Sequence, residues 1–331
     1  MSNGRVAVDV MGGDNAPEAI LEGVRAVCDP AGKHRLDPSR ILLVGDEAAI
    51  AEGLARLELP AGLAVQHASQ VIGMDEKPGQ ALRQKPDSSI GGCVGAVKKG
   101  AAGALVSMGN TGAVVGASTL GLSTLAGVRR PGIAVTLDLT GHPVTLLDMG
   151  ANIAPKPQHL YQYAVMGKVY AEACLKTDKP RVGLLNIGEE QAKGTDLLRE
   201  AHALLTDAEL DFVGNVEGGD IFKNRADVVV TDGFTGNVVL KLLEDFAAFM
   251  MQLVLRELTA HEVKWGPEAL QRVRKNIDYS EYGGALLLGV DGVVVIGHGR
   301  SDANAVANAI GVAARELDAD VNASIVRGLA S

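Results

Sequence analysis

Short, continuously apolar runs rich in β-branched residues alternate along this chain with longer Ala/Leu-rich segments of helical period. The runs RVAVDV (5–10), ILLVGD (41–46), GALVSM (103–108), IAVTLDL (133–139), VTLLDM (144–149), RVGLLNI (181–187), DFVGNV (211–216) and ADVVVTD (226–232) read as strands. Most lack polar alternation, as expected of strands covered on both faces in a largely parallel sheet. Helices are expected at 17–28, 47–57, 88–99, 111–126, 157–175, 192–205, 235–258 and 302–317. The alternation predicts a doubly wound α/β fold. The stretch IAVTLDLTGHPVTLLDM breaks it, reading as two strands about Thr140-Gly141-His142-Pro143 and so as an inserted hairpin. With 331 residues and no Pro/Ser/Gly-rich linker, a single α/β catalytic unit over 1–331 is expected, of two lobes about a cleft with a loose boundary near 130–150.

The 41 glycines gather where the strands end. MGGDNAP (11–17), SMGNTG (107–112), LDMGAN (147–152), LNIGEEQAKG (185–194) and TDGFTGN (231–237) each close an apolar run. In open α/β sheets the carboxyl ends of strands form the ligand crevice, and the helix N-termini that follow offer free N–H groups to an anion. One Gly-Asn step is an ordinary turn. Several at one sheet edge point to an oxyanion pocket.

Charge and composition remove other classes. A net charge of −9 repels nucleic-acid backbones and 3% aromatic residues leave few stacking platforms, so no nucleic-acid partner is expected. Cys28, Cys93 and Cys174 form no CxxC pair, which fits a reducing cytoplasm. No stretch reads as a signal peptide or a membrane span, while attachment at the inner face of the membrane stays open. GHGRSD (297–302) has Asp302 where the third glycine of a dinucleotide fingerprint belongs. GEEQAKGT (188–195) has Lys193 and Gly194 in the wrong order for a P-loop, although Lys193 still suits a phosphate as a point charge. HEVKW (261–265) lacks the second histidine of a metalloprotease helix, and no GxSxG elbow occurs. Neither a metal nor a cofactor is therefore expected.

VAVDVMGGDNAPEAILEGV (6–24) resembles the opening of the acyl carrier protein:phosphate acyltransferases, the PlsX family. The resemblance continues in order through SMGNTGAVVGAS, RRPGIAV, LDMGAN, HLYQYAVMG, GLLNIGEEQAKG, FVGNVEGGDIF, DVVVTDGFTGNVVLK, DYSEYGGALLLG and GHGRSDANAVANAI, to about residue 315. It implies transfer of a fatty acyl group from acyl-acyl carrier protein to inorganic phosphate, giving acyl-phosphate for glycerol-3-phosphate acylation in phospholipid synthesis. It further implies a fold similar to phosphotransacetylases and isopropylmalate dehydrogenases, a homodimer, peripheral membrane contact and hand-over to a glycerol-3-phosphate acyltransferase. Two departures stand out: Leu286 where the family has proline, and Ala154 near a usual acidic position. A dehydrogenase of the isopropylmalate type would need a nicotinamide site and metal-binding aspartates, and neither is readable. A scaffold acting through 238–275 alone would leave the strand-end loops without purpose.

Phosphate attack on a thioester needs a nest for a dianion, stabilisation of a tetrahedral oxyanion and a route for the thiolate. Lys193, which matches a lysine the family is thought to use, is the first candidate to hold phosphate or balance transition-state charge; a solvated lysine is the plain alternative. Asn237 is a candidate oxyanion donor or else an N-cap. Asp232 either orients Lys193 or an amide, or is a turn aspartate. Ser107, Asn110 and Thr111 precede an apolar helix and form a candidate phosphate cradle or its cap. Asp9, Gly12, Gly13, Asp14 and Asn15 are expected to order neighbouring loops or to contact Lys193. Asp148 and Asn152 shape the pocket, or Asp148 is simply satisfied by backbone N–H groups. His298 and Ser301 are placed at phosphate or leaving group, with Arg300 beside them.

Val238–Leu258 is apolar around most of its circumference, reading as core plus dimer interface or as lipid contact over 246–255. HEVKWGPEALQRVRK (261–275) holds Trp265 with Lys264, Arg272, Arg274, Lys275 and His261. On an acidic protein it is a candidate dock for the acidic acyl carrier protein or anionic lipid.

Overall fold

The computed structural model describes residues 4–137, 141–260 and 283–330. Chain contacts divide it into two compact units, Met1–Pro131 with Tyr282–Ser331, and Gly132–Glu281.

The first unit opens with β1 (Val6–Asp9), α1 (Glu18–Cys28), β2 (Ile41–Gly45), α2 (Glu47–Arg56) and β3 (Ala64–His67). It continues through α3 (Pro78–Gln84), α4 (Ser89–Lys98), β4 (Ala104–Ser107) and α5 (Thr111–Leu122). The second unit carries β5 (Gly132–Leu137), β6 (Val144–Leu147), α6 (Pro157–Ala173), β7 (Arg181–Leu185), α7 (Asp196–Thr206), β8 (Asp211–Val216), β9 (Val228–Val230) and α8 (Gly233–Ala260). The chain then returns to the first unit with β10 (Ala285–Leu288), β11 (Val293–Ile296), α9 (Ala303–Asp318) and α10 (Val321–Ala330).

Within the first unit the strand order is β3-β2-β1-β4-β11-β10. All its neighbours pair in parallel except β10 with β11. The second unit runs β5-β6-β9-β7-β8, parallel except for β5 with β6. The fold class is therefore the α/β, mostly parallel one that the sequence predicts. The inserted hairpin is present, with Thr136 opposite Thr145; the tip residue Thr140 lies outside the described residues.

Strands β1, β2, β4 and β6 are buried along their whole length, which explains their unbroken apolar runs. β3 alternates half-buried and exposed residues, as an edge strand does. Helix starts carry their own caps: Asp46, Ser88, Asn110, Thr195 and Asp302 accept from the N–H three residues on. Asp302, which spoils the dinucleotide fingerprint, thus has a local task. Leu286 sits in β10 opposite Val295 and is buried.

Candidate functional site

In the first unit, the carboxyl ends of the parallel strands β1, β4 and β11 bring two of the predicted strand-end loops and the GHGRS loop to one sheet edge. Asp9 ends β1 and is buried, with its Oδ2 accepting from Ser107 Oγ at 2.6 Å and its Oδ1 from Met11 N at 3.2 Å. Ser107 Oγ in turn accepts from Gly109 N at 3.1 Å. Burial raises the Asp9 pKa above the usual carboxylate value, while Ser107, Ser89 and the N–H groups of Met11 and Gly12 pull it back. The chain approaches too closely here for side chains: a Cβ on Gly12 would lie 2.4 Å from Asp9 Oδ2 and 2.8 Å from Gly109 N. Gly13 has φ +99°, and a Cβ there would meet the Met108 and Gly299 carbonyls at 3.0 Å.

The third loop is tied in by backbone. Asp14 N donates to Gly299 O at 2.7 Å, and Asn15 Nδ2 to Ser301 O at 3.1 Å and Arg300 O at 3.3 Å. His298 Nδ1 accepts from Arg300 N at 3.2 Å. Ser301 Oγ is buried with no hydrogen-bond partner. Asn110 is the N-cap of α5, with Oδ1 accepting from Ala113 N at 3.1 Å. Its Nδ2 is directed at the carbonyls of Gly73, Met74 and Glu76 at 3.3, 2.9 and 3.0 Å. The amide thus spends its capacity on the loop at 73–76, and Thr111 opens α5 beside it, exposed.

In the second unit, the carboxyl ends of β6, β9 and β7 likewise share one edge. Asp148, buried at the end of β6, accepts from the N–H groups of Ile133, Gly150, Ala151 and Asn152 at 2.8–3.0 Å. Burial raises its pKa, and those four N–H groups oppose the rise. Asn152 Nδ2 bridges Asp148 Oδ2 at 3.2 Å and Tyr163 Oη at 2.7 Å. The β9 loop is sewn to this one: Gly233 N donates to Asn152 O at 2.9 Å, and a Cβ on Gly236 would lie 2.0 Å from Asp148 O. A Cβ on Gly150 would lie 3.6 Å from the Asn237 side chain, so the structure brings Asp148, Asn152 and Asn237 together.

Two expectations need correction here. Helix α8 starts at Gly233, not 235, so Asn237 lies one turn inside it and does not cap it. Asp232 occupies the capping place, accepting from Phe234 N at 3.0 Å, Thr235 N at 2.9 Å and Thr235 Oγ1 at 2.7 Å. Among the described residues no hydrogen bond or ion pair joins it to Lys193. A carboxylate with free N–H donors next to it satisfies those before it reaches for a distant cation.

Lys193 lies outside the helix predicted from 192, in a loop that ends at Thr195, the N-cap of α7. Asn186 holds this loop, donating from Nδ2 to Lys193 O at 3.2 Å and accepting from Ile187 N at 2.8 Å. Lys193 N donates to Glu190 O at 3.0 Å, and Asn215 Nδ2 donates to the same carbonyl at 2.9 Å. Gly194, at φ +86°, passes so near Asn186 that a Cβ would sit 2.5 Å from its Oδ1. The Lys193 side chain is exposed, and among the described residues its ammonium has no ion pair. By contrast Glu189, on the same loop, is paired with Arg225. Asn186, Tyr163 and the 73–76 segment escaped sequence reasoning. Asn186 had a signal, as the only amide at the end of β7.

Beyond Leu240 no described residue of helix α8 is buried, so this part is not core of its own unit, and the dimer-interface and lipid readings of the helix stay as proposals. Phe234, Val238, Leu242, Phe246 and Phe249 recur at helical spacing and are all more than half exposed. No helix among the described residues is long and apolar enough to cross a membrane. Among them, too, no group of three or more His, Cys, Asp or Glu is arranged to hold a metal ion. The basic segment 261–275 with Trp265 lies outside the described residues.

A family model described as "Fatty acid synthesis protein" matches residues 4–324. The phosphate acyltransferase of Desulfitobacterium hafniense (strain DSM 10664 / DCB-2) is 46% identical over 316 residues, covering 93% of this chain and 92% of its own. That of Myxococcus xanthus (strain DK1622) is 44% identical over 332 residues, with 98% and 93% covered. In structure, a phosphotransacetylase from Streptococcus pyogenes superposes with a TM-score of 0.62 at 15% identity, covering 95% of this chain and 94% of its own. A 4-hydroxythreonine-4-phosphate dehydrogenase from Klebsiella pneumoniae gives 0.53 at 13% identity, with 93% and 98% covered. At such identities these solved structures speak for the fold alone, which is the phosphotransacetylase-like one.

Proposed function

This chain belongs to the fatty acid synthesis protein family, whose curated relatives are phosphate acyltransferases, and from that premise we propose a specific donor and product. The enzyme transfers a fatty acyl group from acyl-acyl carrier protein to inorganic phosphate. A phosphate oxygen attacks the thioester carbonyl, the tetrahedral oxyanion collapses, and the C–S bond breaks. The sulfur keeps the electron pair and takes up a proton, leaving acyl-phosphate and the free carrier thiol. Dianionic phosphate is nucleophilic enough that no protein nucleophile is required.

The observation that carries this reading is the exposed ammonium of Lys193, free of ion pairs among the described residues, on a loop clamped by Asn186. A cation on a fixed loop and kept out of ion pairs retains its field for a bound dianion and for charge developing in the transition state. Asn237, exposed beside the Asp148 loop, is the neutral donor for the oxyanion. Asp232 acts through the cap of α8 and so holds Asn237 in place. In the first unit, Gly12, Gly13 and the N–H groups around Ser107 and Ser301 are candidate phosphate contacts.

The exposed stripe of α8 is covered by a second copy of the chain, giving a homodimer, with membrane contact at its far end. The acyl-phosphate passes to a glycerol-3-phosphate acyltransferase at the inner face of the membrane. Purified protein incubated with long-chain acyl carrier protein and phosphate should yield acyl-phosphate, trapped by hydroxylamine as the hydroxamate. No hydroxamate from a competent carrier, or equal amounts without phosphate, would overturn the reading.

A further inference from the structure

At the opposite end of the first unit's strands lies a cavity of about 430 Å³, within the usual range for small-molecule sites. Gly103, just before β4, and Gly292, just before β11, line it, with the exposed Asp291 beside them. Three helices end there. Val97 and Lys98 of α4, Gly121 and Leu122 of α5, and Glu316 and Leu317 of α9 are last-turn residues that line it. Helix C-termini carry partial negative charge, and although Val97 O and Leu317 O already accept from Gly100 N and Asp320 N, three ends together still lean toward a cation.

The side chains repeat that preference. Asp291, Asp320 and Glu316 line the cavity against the one lysine, Lys98. Glu316 is 2% exposed, and its Oε1 is buried with no hydrogen-bond partner. A buried carboxyl without a partner is costly to maintain, and nothing in the acyl transfer uses it. Val97, Ala102, Val293, Leu317 and Val321 give the same cavity an apolar side.

We propose that this cavity is a second ligand site, for a small organic cation that bears a primary ammonium or guanidinium group. Glu316 receives the cationic head at depth, Asp291 and Asp320 draw it in at the exposed rim, and the apolar side takes the carbon chain. The volume and the lack of a metal-type cluster among the described residues favour an organic cation over a bare ion. In the unliganded protein burial pushes the Glu316 pKa up to about 8, only partly offset by the neighbouring Arg315. The other charges about it are Lys98, Asp291, Asp318 and Asp320. At pH 7 the carboxyl is then largely protonated, and a cation must expel that proton as it binds.

The test is calorimetric titration of the full chain with agmatine at pH 7, in two buffers of different ionisation heat, with glutarate as the anionic control. Saturable agmatine binding with release of most of one proton is expected, and none for glutarate. Glu316→Gln should weaken agmatine by about tenfold or more and abolish the proton release. The double variant Asp291→Asn/Asp320→Asn should weaken it several-fold and keep the release. Agmatine that fails to saturate by about 10 mM, or binds Glu316→Gln as tightly as wild type, overturns the proposal. If Glu316→Gln does not fold, wild-type binding without proton release overturns it equally.

Discussion

The strand-end loops of the two units are built from the same residue types but spend them differently. In the first unit Asp9, Ser107, Asn110 and Asn15 direct their polar atoms at one another or at backbone, and the loops become a fixed arrangement of glycines and N–H groups. In the second unit Asp148, Asn152 and Asn186 do the fixing, while Lys193 and Asn237 stay exposed. A polar side chain with all its hydrogen bonds made can position; one with capacity left can react. That distinction supports the proposal that the chemistry lies with Lys193 and Asn237 and that most of the other candidates are scaffolding.

The contrast breaks first at Lys193. Lys193→Ala should lower acyl-phosphate formation by about a hundredfold or more, and Asn237→Ala by a comparable factor, because each removes a group aimed at developing charge. Melting temperature should hardly move in either, since neither side chain is buried. Unchanged turnover in one of them removes that assignment.

Asp148→Ala should do the reverse. It strands four N–H groups, one buried and three partly buried, at up to about 1 kcal/mol or more each, which should strongly destabilise the second unit. Denaturant titration would register the loss, and a stable variant would mean the loop is held otherwise.

Ser107→Ala is a milder form of the same experiment, expected to cost about 1–3 kcal/mol by leaving Asp9 short of a donor. Asp9 also offers a pH test. Its folded-state pKa is raised, so the folded protein holds that proton to higher pH than the unfolded chain does. Stability should therefore fall as pH climbs from the ordinary carboxylate value through the raised one, and level off above it. Asp9→Asn should remove that part of the slope; an identical pH–stability curve would contradict the buried, protonatable state.

The smallest effect should come from Asp232→Ala. Loss of the α8 cap costs about 1 kcal/mol. Turnover should drop only as far as Asn237 is displaced, so a loss as deep as that of Lys193→Ala would return Asp232 to the chemistry.

Much of the fold was legible because both-face burial writes itself as unbroken apolar runs, as in β1, β4 and β6. Edge and terminal elements were not: β3 has the weak alternation of AVQH, and α3 begins on Pro78-Gly79, which reads as a turn. The β10–β11 hairpin lies outside the expected strands although VVVI is as plain a strand as any. Of the site, the loops and their residues were readable, but the division of labour was not. Whether Asn110 or Asn237 is a cap depends on where a helix begins, and one turn decides it. Whether Asp148 is free depends on N–H groups that local folding turns toward it, and residue type does not encode that.

The first unit is assembled from both ends of the chain, with β11 seated between β4 and β10 and α9 packed on α1. This imposes an order on its birth. A ribosome that has finished the second unit's strands has not yet made the strand that pairs with β4, so that edge of the nascent sheet stays unsatisfied until Val293–Ile296 emerge. The second unit can be complete while the first still waits for its own middle. Chains stalled after α8 should then present β4 as an open template for other strands, and the longer chain is protected by β11, made after the second unit.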